Sequence, residues 1–333
     1  MGIDISQDHL DIAWQSRHPD GSITEAVSVK IDNNAKGLQK LRRMLEQASV
    51  PLNERLLVVA ENTGVYGRPL LRWCQDLCLS LHIGNATELN RSFGIARGKN
   101  DRVDALRLCD YALRQADRLR LMPPVSDSLL LLKDLYATRK RLIKDRSGHR
   151  VHLAALKKTM DAKSFQGLEK ALNHTLTAIT RSITLIEAQI KALVKKDEAL
   201  SENYGLALSV PGVGPVTAHY LICCTLNFAI EVTGKGLACY GGVAPFGRQS
   251  GTSVRYKPRV HHMGNKELKK LLHQGARSII QHKQEFRTYY DKKISEGKHE
   301  LCVVNAVKNK ILHRVAAVIR SRKKYVEKPP AKT

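Results

Sequence analysis

The chain has 333 residues, enough for two domains, and it carries 55 lysines and arginines against 31 aspartates and glutamates. The formal charge of +24 favours a polyanionic partner, nucleic acid ahead of an anionic membrane surface. No stretch approaches the roughly eighteen apolar residues of a membrane span, and the first residues lack the basic and apolar regions of a signal peptide. Seven cysteines without a CxxC pair are typical of reduced thiols in a cytoplasmic protein, and a zinc site is not expected.

The first third of the chain predicts an α/β domain with the element order β-β-β-α-β-α-β-α. The predicted strands lie in residues 2–14 (two strands around a turn at 6–9), 23–31, 56–60 and 79–83, and the predicted helices begin at residues 33, 66 and 101. The run at 56–60 is continuously apolar, which is typical of a strand that is buried on both faces.

Four acidic residues fall at positions of this domain that suit metal chemistry. Asp4 lies in the first strand, and Glu61 follows the buried strand at its carboxyl end, where open α/β sheets place their ligands. Asp101 and Asp104 are three residues apart at the start of a helix, so both carboxylates can point at one spot. A divalent cation would relieve the repulsion among these acids, and carboxylate oxygens favour Mg²⁺ or Mn²⁺.

The same acids have a structural interpretation. Asp101 is also suited to cap the helix, and Asp104 is favoured in a first turn by the helix dipole. The convergence of four acids in one α/β unit favours the metal site over this alternative. Lys99 and Arg102 flank the pair, which suits a polyanionic substrate.

The middle of the chain predicts two long helices after the proline pair at 123–124. A hairpin turn is expected near residues 161–167, and the second helix carries a heptad-like apolar seam. The seam consists of Leu168, Leu172, Leu176, Ile179, Ile183, Ile186, Ile190 and Leu193. It either packs within the hairpin or mediates self-association as a coiled coil. The first helix is strongly basic, which is interpreted as phosphate contact, although a solvated face has the same composition.

The last third begins with a glycine-rich turn that opens a helix, at Gly212 and Gly214 in the sequence PGVGP. The free backbone N–H groups and the helix dipole of such a turn favour an anion, so the turn is predicted to bind a DNA phosphate. The alternative is that the two glycines serve only a tight turn between helices.

Polar and basic loops are expected between residues 239 and 265, ahead of a basic amphipathic helix. A hydroxyl from Ser250 or Ser253 there is a candidate nucleophile. The cations expected to stabilise the transition state or to contact phosphate lie in the same segment, as does a candidate phosphate-binding amide. These residues are Arg255, Lys257, Arg259 and Asn265. A hydrophilic surface turn is the structural alternative for the serines.

The segments GIDIS, AENTGVYG and KNDRVDALRL resemble the N-terminal domain of the DEDD transposases of bacterial insertion sequences. The segments YGGVAPF and QSGTSVR resemble their C-terminal domain, so the resemblance extends over nearly the whole chain. That family includes Piv-type DNA invertases and recombinases guided by a bridge RNA. The resemblance implies an RNase H-like N-terminal domain of the Holliday-junction-resolvase type, with Asp4, Glu61, Asp101 and Asp104 as its acidic tetrad. It also implies a somewhat longer segment before Asp4 than this sequence has.

The resemblance further implies a serine nucleophile at a position that is His261 in this sequence. This departure leaves three explanations: Ser250 or Ser253 supplies the nucleophile, the loops align differently, or this copy has lost strand exchange. A histidine nitrogen can also attack phosphorus, which keeps His261 among the candidates.

The expected regions are an RNase H-like catalytic domain (1–122), a helical hairpin or coiled-coil linker (123–203), a mainly α C-terminal domain (204–322) and a disordered basic tail (323–333). The expected function is that of a cytoplasmic DNA transposase or site-specific recombinase, acting as a homodimer or homotetramer. By resemblance a structured guide RNA is a possible partner. The rival functions are a metal-dependent junction resolvase or nuclease, and a noncatalytic DNA-binding derivative of a transposase.

Overall fold

The computed structural model describes residues 1–18, 20–93, 100–230, 232–250 and 254–327, without the side chains of 248–250 and 254–257. The chain divides into two compact units, Met1–Pro124 and Val125–Thr333. The first is a mixed α/β unit, and the second is mostly helical. None of the described helices has the length and apolar character needed to cross a bilayer.

Five strands of the first unit form one sheet in the order β3-β2-β1-β4-β5. They are β1 (Gly2–Ile5), β2 (His9–Trp14), β3 (Val27–Asp32), β4 (Leu57–Glu61) and β5 (Ser80–Gly84). The first three strands pair antiparallel, whereas β4 and β5 run parallel to β1. The core of β4 is fully buried, as its apolar run predicts.

The helices of this unit are α1 (Ala35–Gln47), α2 (Arg68–Asp76), α3 (Ala86–Ser92) and α4 (Asp101–Gln115). A 3₁₀ turn at Gly64–Gly67 precedes α2, so that helix begins two residues later than the sequence suggests. The short helix α3 is absent from the predicted order. It is only seven residues long, too short for a full apolar period, and Asn85 caps it.

The second unit opens with the hairpin of α5 (Asp127–Thr159) and α6 (Ala162–Lys196), which turns at Met160 and Asp161. Of the predicted seam on α6, only Ile183 and Ile190 are buried, and Leu168 is 44% exposed. The turn is tighter than expected because Asp161 caps α6 directly, accepting a hydrogen bond from the Ser164 backbone N–H at 3.0 Å.

The remaining helices surround one apolar core that includes Leu221, Leu272 and Ile311. They are α7 (Glu198–Leu208), α8 (Pro215–Cys224), α9 (Gly234–Tyr240), α10 (Lys266–His282), α11 (Gln284–Ser295) and α12 (Glu300–Ser321). The tail differs from the expected disorder over residues 323–327, because Tyr325 packs against this core and its backbone N–H donates to Ser209 Oγ at 2.9 Å.

A two-stranded hairpin replaces part of the loop region expected between residues 239 and 265. Strands β6 (Pro245–Ser250) and β7 (Val254–Val260) pair antiparallel. The sequence gives little sign of this hairpin because the apolar side chains described on it are not buried: Phe246 is 49% and Val260 37% exposed.

Candidate active site and nucleic-acid interface

One row of residues crosses the whole sheet of the first unit and contains three of its acids. Asp4 on β1 pairs in register with Asp11 on β2, which in turn pairs with Lys30 on β3. Glu61 on β4 follows directly after the Ile3–Ala60 pair of the parallel strands, which puts it beside Asp4. Residues in register on neighbouring strands project from the same face. Asp11, Asp4 and Glu61 therefore form an acidic row.

Helix α4 can pack closely on this face because the sheet has only a glycine and an alanine, Gly2 and Ala13, where the helix crosses. A Cβ on Gly2 would lie 2.2 Å from the Cys109 backbone nitrogen and 2.4 Å from the Ala105 oxygen. Ala13, in register with Gly2, joins Ala105 and Cys109 in a small buried cluster. Gly2 and Asp4 are two residues apart on β1 and therefore lie on the same face of the sheet. The first turn of α4 and its two acids thus lie near Asp4.

The acids around Asp4 act on its ionisation. Burial of the half-buried carboxyl, together with the negative charges of nearby acids, raises the pKa of Asp4 to about 6. In decreasing order of effect these acids are Asp101, Asp104, Glu61 and Asp11. The structure thus brings the four predicted acids close enough to interact, together with a fifth, Asp11.

Two contacts orient the N-terminal turn of α4. Asn100 caps the helix by accepting a hydrogen bond from the Arg102 backbone N–H at 3.0 Å, so the cap is not Asp101 as the alternative interpretation proposed. The Arg102 side chain donates to Ser28 Oγ on β3 at 2.7 Å. Asp101 is exposed, and its carboxylate is not needed for the cap.

Asp104 has a cationic partner of its own. Its Oδ1 accepts a hydrogen bond from Arg107 at 2.9 Å, and both side chains are about a quarter exposed. Across the described residues, no three histidine, cysteine, aspartate or glutamate side chains already form a group that could hold a metal ion.

The chemistry of the acidic row nevertheless matches a hard divalent cation. The donors are carboxylate oxygens, and the pKa of Asp4 is raised first by burial and then by the negative charges of its acidic neighbours. A bound cation would offset the electrostatic repulsion among these carboxylates.

Sequence reasoning missed Asp11, although a signal was present. A tight turn at residues 6–9 places positions 4 and 11 opposite each other, as the observed register confirms. Asp11 is only 8% exposed and lies 3.5 Å from Lys30 Nζ, so its charge is partly balanced, unlike that of Asp4.

A basic groove of about 920 Å³ lies within the second unit, between α5, the turn before α8, and α10. Its lining includes the exposed side chains of Lys144 and Lys270, and Lys140, which pairs with Glu267 at 3.0 Å. The two features that the sequence assigned to phosphate binding, the basic helix and the PGVG turn, thus line one groove.

The glycines of the turn have different roles. Gly212 has φ +88°, and Gly275 of α10 lies against it so closely that a Cβ there would be 2.0 Å from the Gly212 oxygen. Gly212 is therefore required by packing, as the alternative interpretation held. Gly214 caps α8 without a side-chain hydrogen bond and has open space around it. Pro215 has no N–H, so the first-turn donors beside the groove are the backbone N–H groups of Val216 and Thr217.

The candidate nucleophiles lie on or beside the β6–β7 hairpin. Ser250 ends β6, with its side chain outside the description, and Ser253 lies outside the described residues, as does Lys99. His261 follows β7 and is exposed; its ring lies 4.4 Å from that of His262, and its Nδ1 accepts from the Met263 backbone N–H.

The predicted phosphate-contacting residues of this region differ in their availability. Arg259 is exposed, whereas the side chains of Arg255 and Lys257 lie outside the description. Asn265 caps α10, and its side chain also accepts from Tyr220 at 2.9 Å and donates to Tyr240 at 2.8 Å. The structure therefore assigns Asn265 a packing role at the base of the hairpin.

Comparison with known families matches both units of the chain. Residues 1–161 match the family described as a transposase of the type DEDD_Tnp_IS110. Residues 204–291 match the family described as the IS116/IS110/IS902 transposases.

Three curated proteins are similar to the chain. The pilin gene-inverting proteins of Moraxella bovis and Moraxella lacunata are each 25% identical over 329 residues, covering 98% of this chain and 97% of the relative. An uncharacterized 43.6 kDa protein of insertion element IS110 from Streptomyces coelicolor is 29% identical over 165 residues. That match covers 48% of this chain and 40% of the relative.

Proposed function

The chain belongs to the IS110-type DEDD transposases and is a transposase or site-specific DNA recombinase, and from this we propose that strand cleavage and rejoining depend on the acids around Asp4. The observation that carries this proposal is the acidic row. Asp4 lies beside Glu61 and Asp11, and the charges of Asp101 and Asp104 contribute to its raised pKa. This concentration of negative charge contrasts with the net charge of +24 of the whole chain.

We propose an RNase H-like fold for the region 1–122. A sheet of order β3-β2-β1-β4-β5, with the first three strands antiparallel and the others parallel to β1, supports it. The other proposed regions are a coiled-coil linker (123–203), a C-terminal transposase domain (204–322) and a tail (323–333). The half-exposed Leu168 on the seam of α6 supports self-association as a dimer or tetramer.

We propose that Asp4, Glu61, Asp101 and Asp104 hold Mg²⁺ or Mn²⁺. When bound, such an ion polarises the scissile phosphate and stabilises the leaving oxygen. Arg107 restrains Asp104 through their 2.9 Å contact, so it competes with the ion for that carboxylate. Asp11 pairs with Lys30 and is not one of the proposed ligands. Its negative charge still contributes to the raised pKa of Asp4.

The basic groove is the proposed DNA-binding surface of the second unit. Lys144 and Lys270 offer charge to a phosphate backbone, and the α8 N–H groups offer hydrogen bonds that read no sequence. A guide RNA would present the same phosphate chemistry. A reaction on chromosomal DNA of a bacterial element implies the cytoplasm.

The test is a cellular strand-exchange assay with the flanking DNA of the element, scored for excision and, because two relatives are named for gene inversion, for inversion. The variants are wild type, Asp104→Ala, Ser253→Ala and His261→Ser. An active wild type with an inactive Asp104→Ala supports a catalytic site formed by the acids around Asp4. Ser253→Ala then tests that hydroxyl as the nucleophile.

Two other outcomes lead elsewhere. If wild type is inactive and His261→Ser restores exchange, this chain is a transposase that has lost strand exchange through the histidine at position 261. If every variant is inactive but purified protein cuts branched DNA with Mg²⁺ to free 3′-hydroxyl and 5′-phosphate ends, hydrolysis replaces strand exchange as the reaction.

A further inference from the structure

Helix α12 buries a lysine in the core of the second unit. Lys308 is only 6% exposed, and its neighbours Val307, Ile311 and Leu312 are completely buried. Within the described part of the chain its ammonium group forms no ion pair and no hydrogen bond. The stem is enclosed, whereas the ammonium group is not among the fully enclosed polar atoms of the described residues; its partial burial still carries a desolvation cost.

The charged groups around Lys308 increase this cost. Burial and the positive charge of Lys269 on α10 lower the pKa of Lys308. Burial, Lys308 and Arg277 likewise lower the pKa of His273, one turn further along α10. The acid nearby, Glu300, already pairs with Arg277 at 2.7 Å. Positive charge is thus concentrated where the described residues offer it no free carboxylate.

The position of this cluster connects it to the hairpin. Asn305, one turn before Lys308, donates to the Val243 oxygen at 2.8 Å, just ahead of β6. Asn265, one turn before Lys269, caps α10 just after β7. The two lysines therefore lie one helical turn from the contacts that fix both ends of the hairpin near the candidate nucleophiles.

We propose that Lys308, Lys269 and His273 form a binding site for a backbone phosphate of the DNA substrate. The identity of the ligand rests on the proposed function; the need for an anion rests on the clustered positive charge, for which the described residues offer no free carboxylate. A phosphate there converts an uncompensated ammonium into a charge-assisted contact. Because the stem of Lys308 is enclosed, this contact would hold one strand in a fixed position beside the hairpin.

Two measurements on the full chain test the site, with Lys308→Met as the variant and Lys298→Met as the control. Lys298 is exposed just before α12, so its loss removes the same charge from the surface. The first measurement is duplex binding by fluorescence anisotropy across a salt series. Lys308→Met should weaken binding about tenfold and reduce the slope of log K against log salt by about 0.9, the value for one phosphate contact. Lys298→Met should change both much less.

The second measurement is the melting temperature in sodium phosphate and in sodium chloride at equal ionic strength, followed by tyrosine absorbance. Wild type and Lys298→Met should melt higher in phosphate. Lys308→Met should melt higher than wild type in chloride, because a partly desolvated charge beside Lys269 is gone. It should lose the part of the phosphate response that exceeds the general stabilisation by this kosmotropic ion, a part that Lys298→Met retains.

The outcomes separate this proposal from the proposed function. An unchanged phosphate response and salt slope in Lys308→Met overturn the site while leaving DNA binding intact. A lost phosphate response with an unchanged DNA slope overturns DNA as its ligand. If wild type binds no DNA, the proposed function fails, and a phosphate response that disappears in Lys308→Met still supports the anion site.

Discussion

Asp4 and Asp11 face each other in register across the first two strands, on the side of the sheet that helix α4 covers. Opposed carboxylates on neighbouring strands destabilise a sheet. Lys30 balances Asp11 at 3.5 Å, whereas among the described residues the charges that shift the pKa of Asp4 are all negative. The strain is therefore concentrated at Asp4, and it gives the acidic site measurable properties even without a strand-exchange assay.

Asp4→Asn should stabilise the protein in the absence of divalent cations. The raised pKa of Asp4, about 6 against an ordinary 3.8, means that the folded state binds the proton more tightly, so stability falls as the pH rises through this window. Removing the carboxylate at pH 7.5 should recover about 1 kcal/mol, after discounting the shift for solvent screening. Both tryptophans, Trp14 and Trp73, lie in the first unit, so their fluorescence reports its melting.

The same experiment with Mg²⁺ should reverse the order. Millimolar Mg²⁺ or Mn²⁺ should raise the melting temperature of wild type and have little effect on Asp4→Asn. At pH 4.5, where Asp4 is mostly protonated in the folded state, the advantage of the variant should shrink, and it should disappear only below the ordinary pKa of 3.8. An equal response of both proteins to Mg²⁺ at pH 7.5 would exclude Asp4 as a ligand.

Asp11→Asn and Lys30→Met should shift the pKa of Asp4 in opposite directions. Asp11 contributes a negative charge beside Asp4, so its removal should lower that pKa towards the ordinary value. Lys30→Met leaves the charge of Asp11 unbalanced and should raise it. Carboxyl chemical shifts followed against pH would measure both effects. Shifts of the same sign in the two variants would contradict the proposed charge balance.

Arg107→Met should strengthen metal binding. Arg107 pairs with Asp104 at 2.9 Å, so its removal frees a proposed ligand and deletes a nearby positive charge. The Mg²⁺ concentration at half-maximal tryptophan response should fall severalfold. Arg114→Met is a matched control, because Arg114 pairs with Asp110 on the same helix at 2.8 Å but on an exposed surface. If Arg107→Met weakens binding, Arg107 positions Asp104 for the metal instead of competing for it.

The sequence contained enough to predict the five strands of the first unit and to single out four acids, because burial on both faces, alternation and helix spacing are local patterns. Asp11 required a tertiary inference, since its importance depends on the register set by the turn at residues 6–9. The close crossing of α4 over Gly2 is likewise invisible locally. Lys308 lies outside local rules altogether: helix α12 alone gives no sign that α10 adds Lys269 and His273 beside it.

Gly275→Ala should destabilise the second unit, although alanine favours a helix interior by about 1 kcal/mol. The added Cβ would lie 2.0 Å from the Gly212 oxygen, a backbone atom that cannot rotate away. Separating α10 from the turn should cost about 3 kcal/mol and thus outweigh the gain in propensity. Urea unfolding, with hydrogen exchange of α8 and α10 as the local probe, measures the loss.

Gly214→Ala is the control for this substitution. Gly214 has φ −86° and ψ 173°, which alanine adopts readily, and no atom lies within 4 Å of its added Cβ. The change should cost less than about 1 kcal/mol. Equal losses in the two variants would contradict the close packing of the turn on α10. A large loss confined to Gly275→Ala would establish that the turn lining the basic groove is held in place from beneath, with the α8 N–H groups left open to a phosphate.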